Sequence, residues 1–369
     1  MTPTFIPRKT YIKNYMFYLI FYLFLICTSS FSYGSFQSKS NQIYMNNKEI
    51  SIKGINWFGF ETECNVIHGL WSNSLDFYFD FLSENNFNAL RIPISYEMSL
   101  NEKQIPTQGC IDYNSNQELQ NKNSREILHI LFEKAQEHNM LILLDMHTKD
   151  NQITPIAELE YINAWMNILP EFQAYHNLMG IDLKNEPHMP ETWNHWMLFV
   201  KTAMYHLDNI GYRGLYYIEG IQTERSGWGN DFSPIQNDNF LLNDPRVVFS
   251  PHVYGYSVRG KDSINDDKEE FDKWFGFLKD MSSNAIVITE FGGFYKDLDM
   301  EWHKKLFYYL KEKKLTSSFY WCLNPNSMDT HGVLLEDWKT PNKEKLLYLQ
   351  NLNPFPTKII FKKLRHLKN

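Results

Sequence analysis

The chain has 369 residues, 43% of them apolar and 16% aromatic, and a formal charge of −7. That length suits one large α/β domain or two small ones. The acidic balance excludes a nucleic-acid surface, because the one basic stretch, "KIIFKKLRHLKN" at residues 358–369, reads as a solvated tail. Four scattered cysteines exclude a metal cage or a disulfide framework.

Residues 1–34 read as a secretory signal peptide: Arg8, Lys9 and Lys13 precede "NYMFYLIFYLFLIC", and "TSSFSYGS" follows. The apolar run is short for a membrane span, although an uncleaved signal anchor is the alternative. Removing the segment leaves 33 basic residues against 43 acidic ones, a charge of about −10. The expectation is a secreted, extracellular protein, free of the membrane after signal removal and monomeric.

From residue 35 to 357 a single domain is predicted. Its β-type runs are "ISIKGINW" (50–57), "ALRIPI" (89–94), "LILLDMH" (141–147), "LMGIDLKNE" (178–186), "GLYYIEG" (214–220), "VVFSPHVY" (247–254), "AIVITEF" (285–291) and "SFYWCLN" (318–324). Helical patterns lie between most of them. "SREILHILFEKAQEHN" carries an apolar stripe at Ile127, Leu128, Leu131, Phe132 and Ala135, with Ser124 as its expected N-cap. "WNHWMLFVKTAMYHLDNIG" stops at Gly211, and "DKEEFDKWFGFLKDM" and "MEWHKKLFYYLKEKKL" supply two more helices. Eight strands alternating with helices predict a (β/α)8 TIM barrel. A doubly wound sheet is disfavoured because no Gly-rich phosphate loop follows the first strand.

A barrel gathers all its strand ends on one face. The ends here carry Asn56 and Trp57, Arg91, His147, Asn185 and Glu186, His252 and Tyr254, Glu290, and Trp321 and Asn324. Two glutamates on different strands are the chemical core of that set, since glycoside hydrolysis needs one carboxylic acid and one carboxylate. Arg91 and the Tyr254 hydroxyl favour an ionised Glu290, and an ionised Glu290 disfavours a second charge on Glu186. Glu186 is therefore read as acid/base and Glu290 as nucleophile. Asn185 suits the sugar 2-hydroxyl, and the histidines and Trp321 suit the flanks of the same sugar. Trp57, Trp71 and Trp228 are read as rings on the catalytic face, whereas Trp165, Trp193, Trp196, Trp274 and Trp302 sit in helical patterns and read as core. "DMH" at 145–147 has the spacing of a metal pair, but no metal is expected, because the strands carrying 50–57, 214–220 and 318–324 offer no evident third ligand.

"GINWFGFETECNVIHGLW", "ALRIPIS", "LDMH", "DLKNEPH", "FSPHVYG", "ITEFGG" and "YWCLNPNSMDTHGVLLEDW", in this order, resemble glycoside hydrolase family 5, the endoglucanase (cellulase) family, in its subgroup with an Asn-Trp-Phe-Gly-Phe-Glu-Thr motif. The resemblance implies a TIM barrel and a retaining endo-β-1,4-glucanase acting on cellulose and related β-glucans without a cofactor. The same barrel acting on mannan or another β-glycan is the alternative. The resemblance gives Glu186 and Glu290 the catalytic roles and gives supporting roles to Arg91, His147, Asn185, His252, Tyr254 and Trp321. It further implies a cis peptide at Trp321–Cys322, and a disulfide for Cys64 with Cys110 as the nearest substitute for a relative's partner cysteine. The chain departs from the subgroup at Met146, Lys184, Thr289, Leu323 and His331.

Overall fold

The computed structural model describes residues 35–147, 155–187, 192–222, 228–260 and 268–361. The signal segment read at 1–34 and most of the basic tail lie outside them.

The barrel is one parallel sheet in the order β10-β11-β12-β4-β5-β6-β7-β8-β9. Its strands are β4 (Lys53–Asn56), β5 (Ala89–Ile94), β6 (Leu141–Met146), β7 (Leu178–Asp182), β8 (Leu215–Ile218), β9 (Val247–Phe249), β10 (His252–Tyr254), β11 (Ile288–Gly292) and β12 (Ser318–Tyr320). β9 and β10 are two halves of the sixth barrel position, interrupted at Ser250 and Pro251 where proline offers no N–H. β9 closes the ring: Phe249 N donates to Ala285 O at 2.9 Å and Val287 N to Phe249 O at 2.9 Å. The predicted TIM barrel is the observed fold.

Period-2 alternation explains what fills it. Leu90, Ile92, Ile94, Ile142, Leu144, Met146, Tyr216 and Ile218 point outward into the core shared with the helices. Ala89, Leu141, Leu143, Leu215 and Tyr217 point inward and form a separate apolar floor. One step further along the same inward rows stand Arg91, Asp145 and Glu219, all fully buried. The chemistry thus begins where the floor ends.

An element that the sequence reading did not resolve plugs the floor from below. The strands β1 (Phe36–Lys39), β2 (Gln42–Met45) and β3 (Lys48–Ile50) form an antiparallel sheet. Ser40–Asn41 and Asn46–Asn47 make its two-residue turns with positive φ throughout, the geometry that matches the twist of a hairpin. Phe36, Ile43 and Ile50 pack on the floor. The run expected at 50–57 is therefore two strands, with Ile50 ending β3 and Lys53 starting β4.

Three further local readings change. Helix Ser124–Glu137 is capped by Asn123, not Ser124, in a capping box with Glu126. The expected helix at 267–281 is broken by a π-helical turn at Asp272–Gly276. There the Tyr309 hydroxyl donates to Asp272 Oδ1 at 2.9 Å and takes the space a Cβ at Gly276 would need. β7 stops at Asp182, so Asn185 and Glu186 lie beyond the strand rather than on its end.

Candidate active site

Arg91 is the hub. Its Nε and Nη2 donate to Asp182 Oδ2 at 3.2 and 3.0 Å, Nη1 donates to Asn56 Oδ1 at 3.0 Å and to Glu290 Oε1, and Nη2 donates to Asn185 Oδ1 at 3.0 Å. Asp145 Oδ2 lies 3.0 Å and Glu219 Oε1 3.7 Å from Nη2. One fully buried guanidinium thus faces four buried carboxyls. Burial opposes its charge, but these neighbours outweigh burial and hold it well above the ordinary arginine range. The same crowding leaves Asp182 and Glu219 raised well above ordinary carboxyls, burial being the first cause; Asp145 and Glu290 add to it at Asp182, and Asp182 adds to it at Glu219.

Register puts His252 beside Glu290, as direct partners of β10 and β11. His252 Nδ1 lies 3.1 Å from Glu186 Oε1 and 3.5 Å from Glu290 Oε2. Burial, then Arg91, pushes His252 far below the usual imidazole value, so it is neutral. Carboxyl oxygens of Glu186 and Glu290 lie within 4.8 Å of one another around it. Burial raises both carboxyls. At Glu290 the Arg91 guanidinium and the donated Tyr254 hydroxyl oppose the rise. At Glu186 burial and the Glu290 charge combine to push it up to about 8. The two groups are therefore unequal in the way a proton donor and an anion must be.

Glu186 has φ +48, left-handed for a residue with a side chain. Its backbone N–H is held at 2.9 Å by Glu219 Oε2, and Pro187 fixes the exit.

His147 Nδ1 contacts Asp145 Oδ2 at 2.9 Å, and its Nε2 lies 3.4 Å from Asn185 Nδ2. Burial would lower its pKa, but Asp145 overrides that and raises it to about 9. The Trp321 ring lies nearly parallel to two others, Phe58 at 5.6 Å and His147 at 5.7 Å, and its Nε1 donates to Ser327 Oγ at 3.2 Å. The Trp321–Cys322 peptide is cis. An aromatic row continues from Phe58 through His68 (5.1 Å) and Trp71 (5.2 Å) to the buried Trp338 (5.0 Å). Trp228 stands on the other flank, 6.4 Å from Tyr254.

The structure thus brings Arg91, His147, Asn185, Glu186, His252, Tyr254, Glu290 and Trp321 into one cluster, with Trp71 and Trp228 on its flanks. It does not bring Trp57 there. That ring is fully buried between Tyr78 and Phe79 and donates to His68 O at 2.9 Å. Trp165, Trp193, Trp196, Trp274 and Trp302 are buried, as their helical patterns imply. Cys64 and Cys110 are joined in a disulfide.

The sequence reading missed Asp182, Glu219, Phe58, His68 and Glu61. Glu61 Oε2 accepts from Gly59 N at 2.8 Å, and burial raises its carboxyl to about 7. Glu219 was in reach, because "YYIEG" ends a strand with a carboxylate as "LKNE" does. Asp145, His147 and Glu290 present atoms within 4.8 Å of one another, as do Asp182, Glu219 and His252. The Arg91 guanidinium already supplies the cation to Asp145, Asp182 and Glu290, so these donors suit a buried arginine better than an added metal.

The profile of the family "Cellulase (glycosyl hydrolase family 5)" matches residues 45–327. An endoglucanase from Paenibacillus polymyxa is 30% identical over 342 residues, covering 85% of this chain and 85% of the relative. The catalytic domain of the major endoglucanase from Xanthomonas campestris pv. campestris is 28% identical with a TM-score of 0.79, over 86% of this chain and 99% of that one. A variant of the endocellulase from Pyrococcus horikoshii, solved with cellotetraose, is 28% identical with a TM-score of 0.79, over 86% of this chain and 98% of that one.

Proposed function

Because the chain belongs to the cellulase family, glycosyl hydrolase family 5, we propose that it is a secreted endo-β-1,4-glucanase that cleaves internal bonds of cellulose and related β-glucans with retention. The observation that carries this reading is the unequal carboxyl pair. Glu186 and Glu290 have oxygens within 4.8 Å of one another, with Glu186 raised to about 8 and Glu290 bound to Arg91 and Tyr254.

Glu290 attacks the anomeric carbon while Glu186 protonates the departing glycosidic oxygen. A covalent glycosyl-enzyme forms, and Glu186, now ionised, takes a proton from the water that releases the sugar. Arg91 and Tyr254 keep Glu290 anionic and aimed. The Asn185 side chain, tied to Arg91 by its oxygen, leaves its amide to bond the sugar 2-hydroxyl. Trp321, stiffened by stacking on Phe58 and His147, forms the platform under the reacting sugar. His147 and His252 line it, and Trp71 and Trp228 extend the cleft in two directions, since flat sugar faces pack on aromatic rings.

The leader-like residues 1–34 and the Cys64–Cys110 disulfide support secretion, because disulfides persist in oxidising compartments. A reducing-sugar assay on carboxymethylcellulose, amorphous cellulose, mixed-linkage glucan and mannan tests the substrate. Fast viscosity loss on carboxymethylcellulose is expected. Activity confined to mannan would replace cellulose with the mannan reading, and inactivity on all four substrates would overturn the enzyme assignment.

A further inference from the structure

The pairing of β10 with β11 runs from His252 opposite Glu290 to Tyr254 opposite Gly292 and stops there. Both of the residues just beyond, Gly255 and Gly293, approach one side chain. A Cβ on Gly255 would lie 2.5 Å from Asp299 Oδ1, and a Cβ on Gly293 would lie 2.5 Å from Asp299 Oδ2. Asp299 comes from the first turn of the helix Asp297–Lys313 and is buried. Its Oδ1 accepts from Ser257 N at 3.0 Å, and its Oδ2 accepts from Phe294 N at 2.6 Å. One carboxyl therefore joins the segment after Tyr254 to the segment after Glu290, where the strand ladder leaves off.

We infer that Asp299 is a positioning residue that holds the Tyr254 hydroxyl on Glu290 by tying the exits of β10 and β11 together. The inference rests on the nucleophile role proposed for Glu290.

Three observations lead to this arrangement. The strand β10 has only 3 residues, and Ser250 and Pro251 separate it from β9. Pairing alone gives its last residue, Tyr254, little support. Next, Gly255 caps the short helix Tyr256–Arg259 without a side chain. Asp299 supplies from another element the acceptor that the first-turn N–H of Ser257 needs. Finally, the joint is closed on several sides. Trp302 Cε3 would lie 2.9 Å from the same Cβ on Gly255, and Ser257 Oγ shares the Phe294 N–H at 3.3 Å. The Tyr254 hydroxyl, which donates to Glu290 Oε2, stands at the far end of a long ring. A small tilt of the β10 exit would carry it off the carboxyl, and placement errors of that size are costly in catalysis.

Asp299→Asn, Asp299→Ala, Tyr254→Phe and the two double variants are compared by kcat/KM on 2,4-dinitrophenyl β-cellobioside, per folded molecule as measured by near-ultraviolet circular dichroism. The dinitrophenolate leaves without help from an acid, so the rate reports on the attack by Glu290. Asparagine offers one acceptor in place of two, and alanine offers none. Each Asp299 variant is expected to lose at least about tenfold when Tyr254 is present, and Tyr254→Phe at least as much. With the hydroxyl already gone, either Asp299 substitution is expected to cost under about twofold more. Damage to the fold would multiply in both backgrounds. Equal losses with and without the hydroxyl would therefore make Asp299 a structural residue and overturn the inference. Failure of both Asp299 variants to fold would overturn it as well, as would full activity of Tyr254→Phe. Glu290→Ala is the control: turnover near wild type would remove the nucleophile assignment, and this inference with it. Losses in Glu290→Ala and Tyr254→Phe with unchanged rates in both Asp299 variants would leave the nucleophile in place and sink only the role of Asp299.

Discussion

Glu186 and Glu290 present carboxyl oxygens within 4.8 Å of each other across the barrel mouth, one from beyond β7 and the other from within β11. Retaining glycosidases hold their carboxyls at about 5 Å and inverting ones at about 6.5 Å or more, to admit a water. An oxygen–oxygen spacing within 4.8 Å falls on the retaining side. Proton NMR of cellotetraose hydrolysis should show the β-anomer of the new reducing end appearing first, with the α-anomer following only by mutarotation. An α-anomer appearing first would contradict the geometry.

Glu290→Ala removes the proposed nucleophile but none of the aromatic rings around it. Hydrolysis of cellotetraose is expected to fall by at least about 10⁴-fold, while the calorimetric Kd for cellotetraose stays within a few-fold. Turnover close to wild type would move the nucleophile elsewhere.

The pH profile follows from Glu186. Its pKa in the folded protein is about 8, and the acid is competent only while protonated. On cellotetraose, kcat/KM should therefore hold below that value and decline as pH rises through it. On the dinitrophenyl glycoside this alkaline decline should be much weaker. A profile that keeps rising past pH 9 on cellotetraose would exclude Glu186 as the acid.

The Cys64–Cys110 bridge ties the loop after β4 to the loop after β5 across a sequence separation of 46. Chain entropy over such a loop gives about 4 kcal/mol at most. A Cys64→Ala, Cys110→Ala double variant should unfold at a visibly lower denaturant midpoint, and wild type in reductant should shift towards it. An unchanged midpoint in both cases would mean that the bridge contributes nothing.

Much of the site was legible because barrel strands make sequence alternation spatial. Arg91, His252, Tyr254 and Glu290 are on strands, and Arg91 takes its inward direction from Ala89 two positions earlier. Glu186 was found because a carboxylate follows a strand and precedes Pro187. What stayed hidden depends on contacts between distant segments. Glu219 looks like any polar strand end until His252 and the Glu186 main chain are seen against it. Phe58 belongs to an apolar motif, and only the stack on Trp321 distinguishes it from core. Trp57, one residue earlier, reads the same way in sequence but points into the core shared with the helices, between Tyr78 and Phe79.

The sequence by itself determined the barrel and its pooled strand ends and pointed to Glu186 and Glu290 as the candidate carboxyl pair, because hydrophobic period and residue type are local properties. Only the tertiary structure decided which contacts set the protonation order. That order depends on distances: one Arg91 shared among four carboxyls, a neutral His252 between Glu186 and Glu290, and a buried Glu219 oxygen with no donor. Charge interactions and desolvation act through space and burial, and neither is written in the order of residues along the chain.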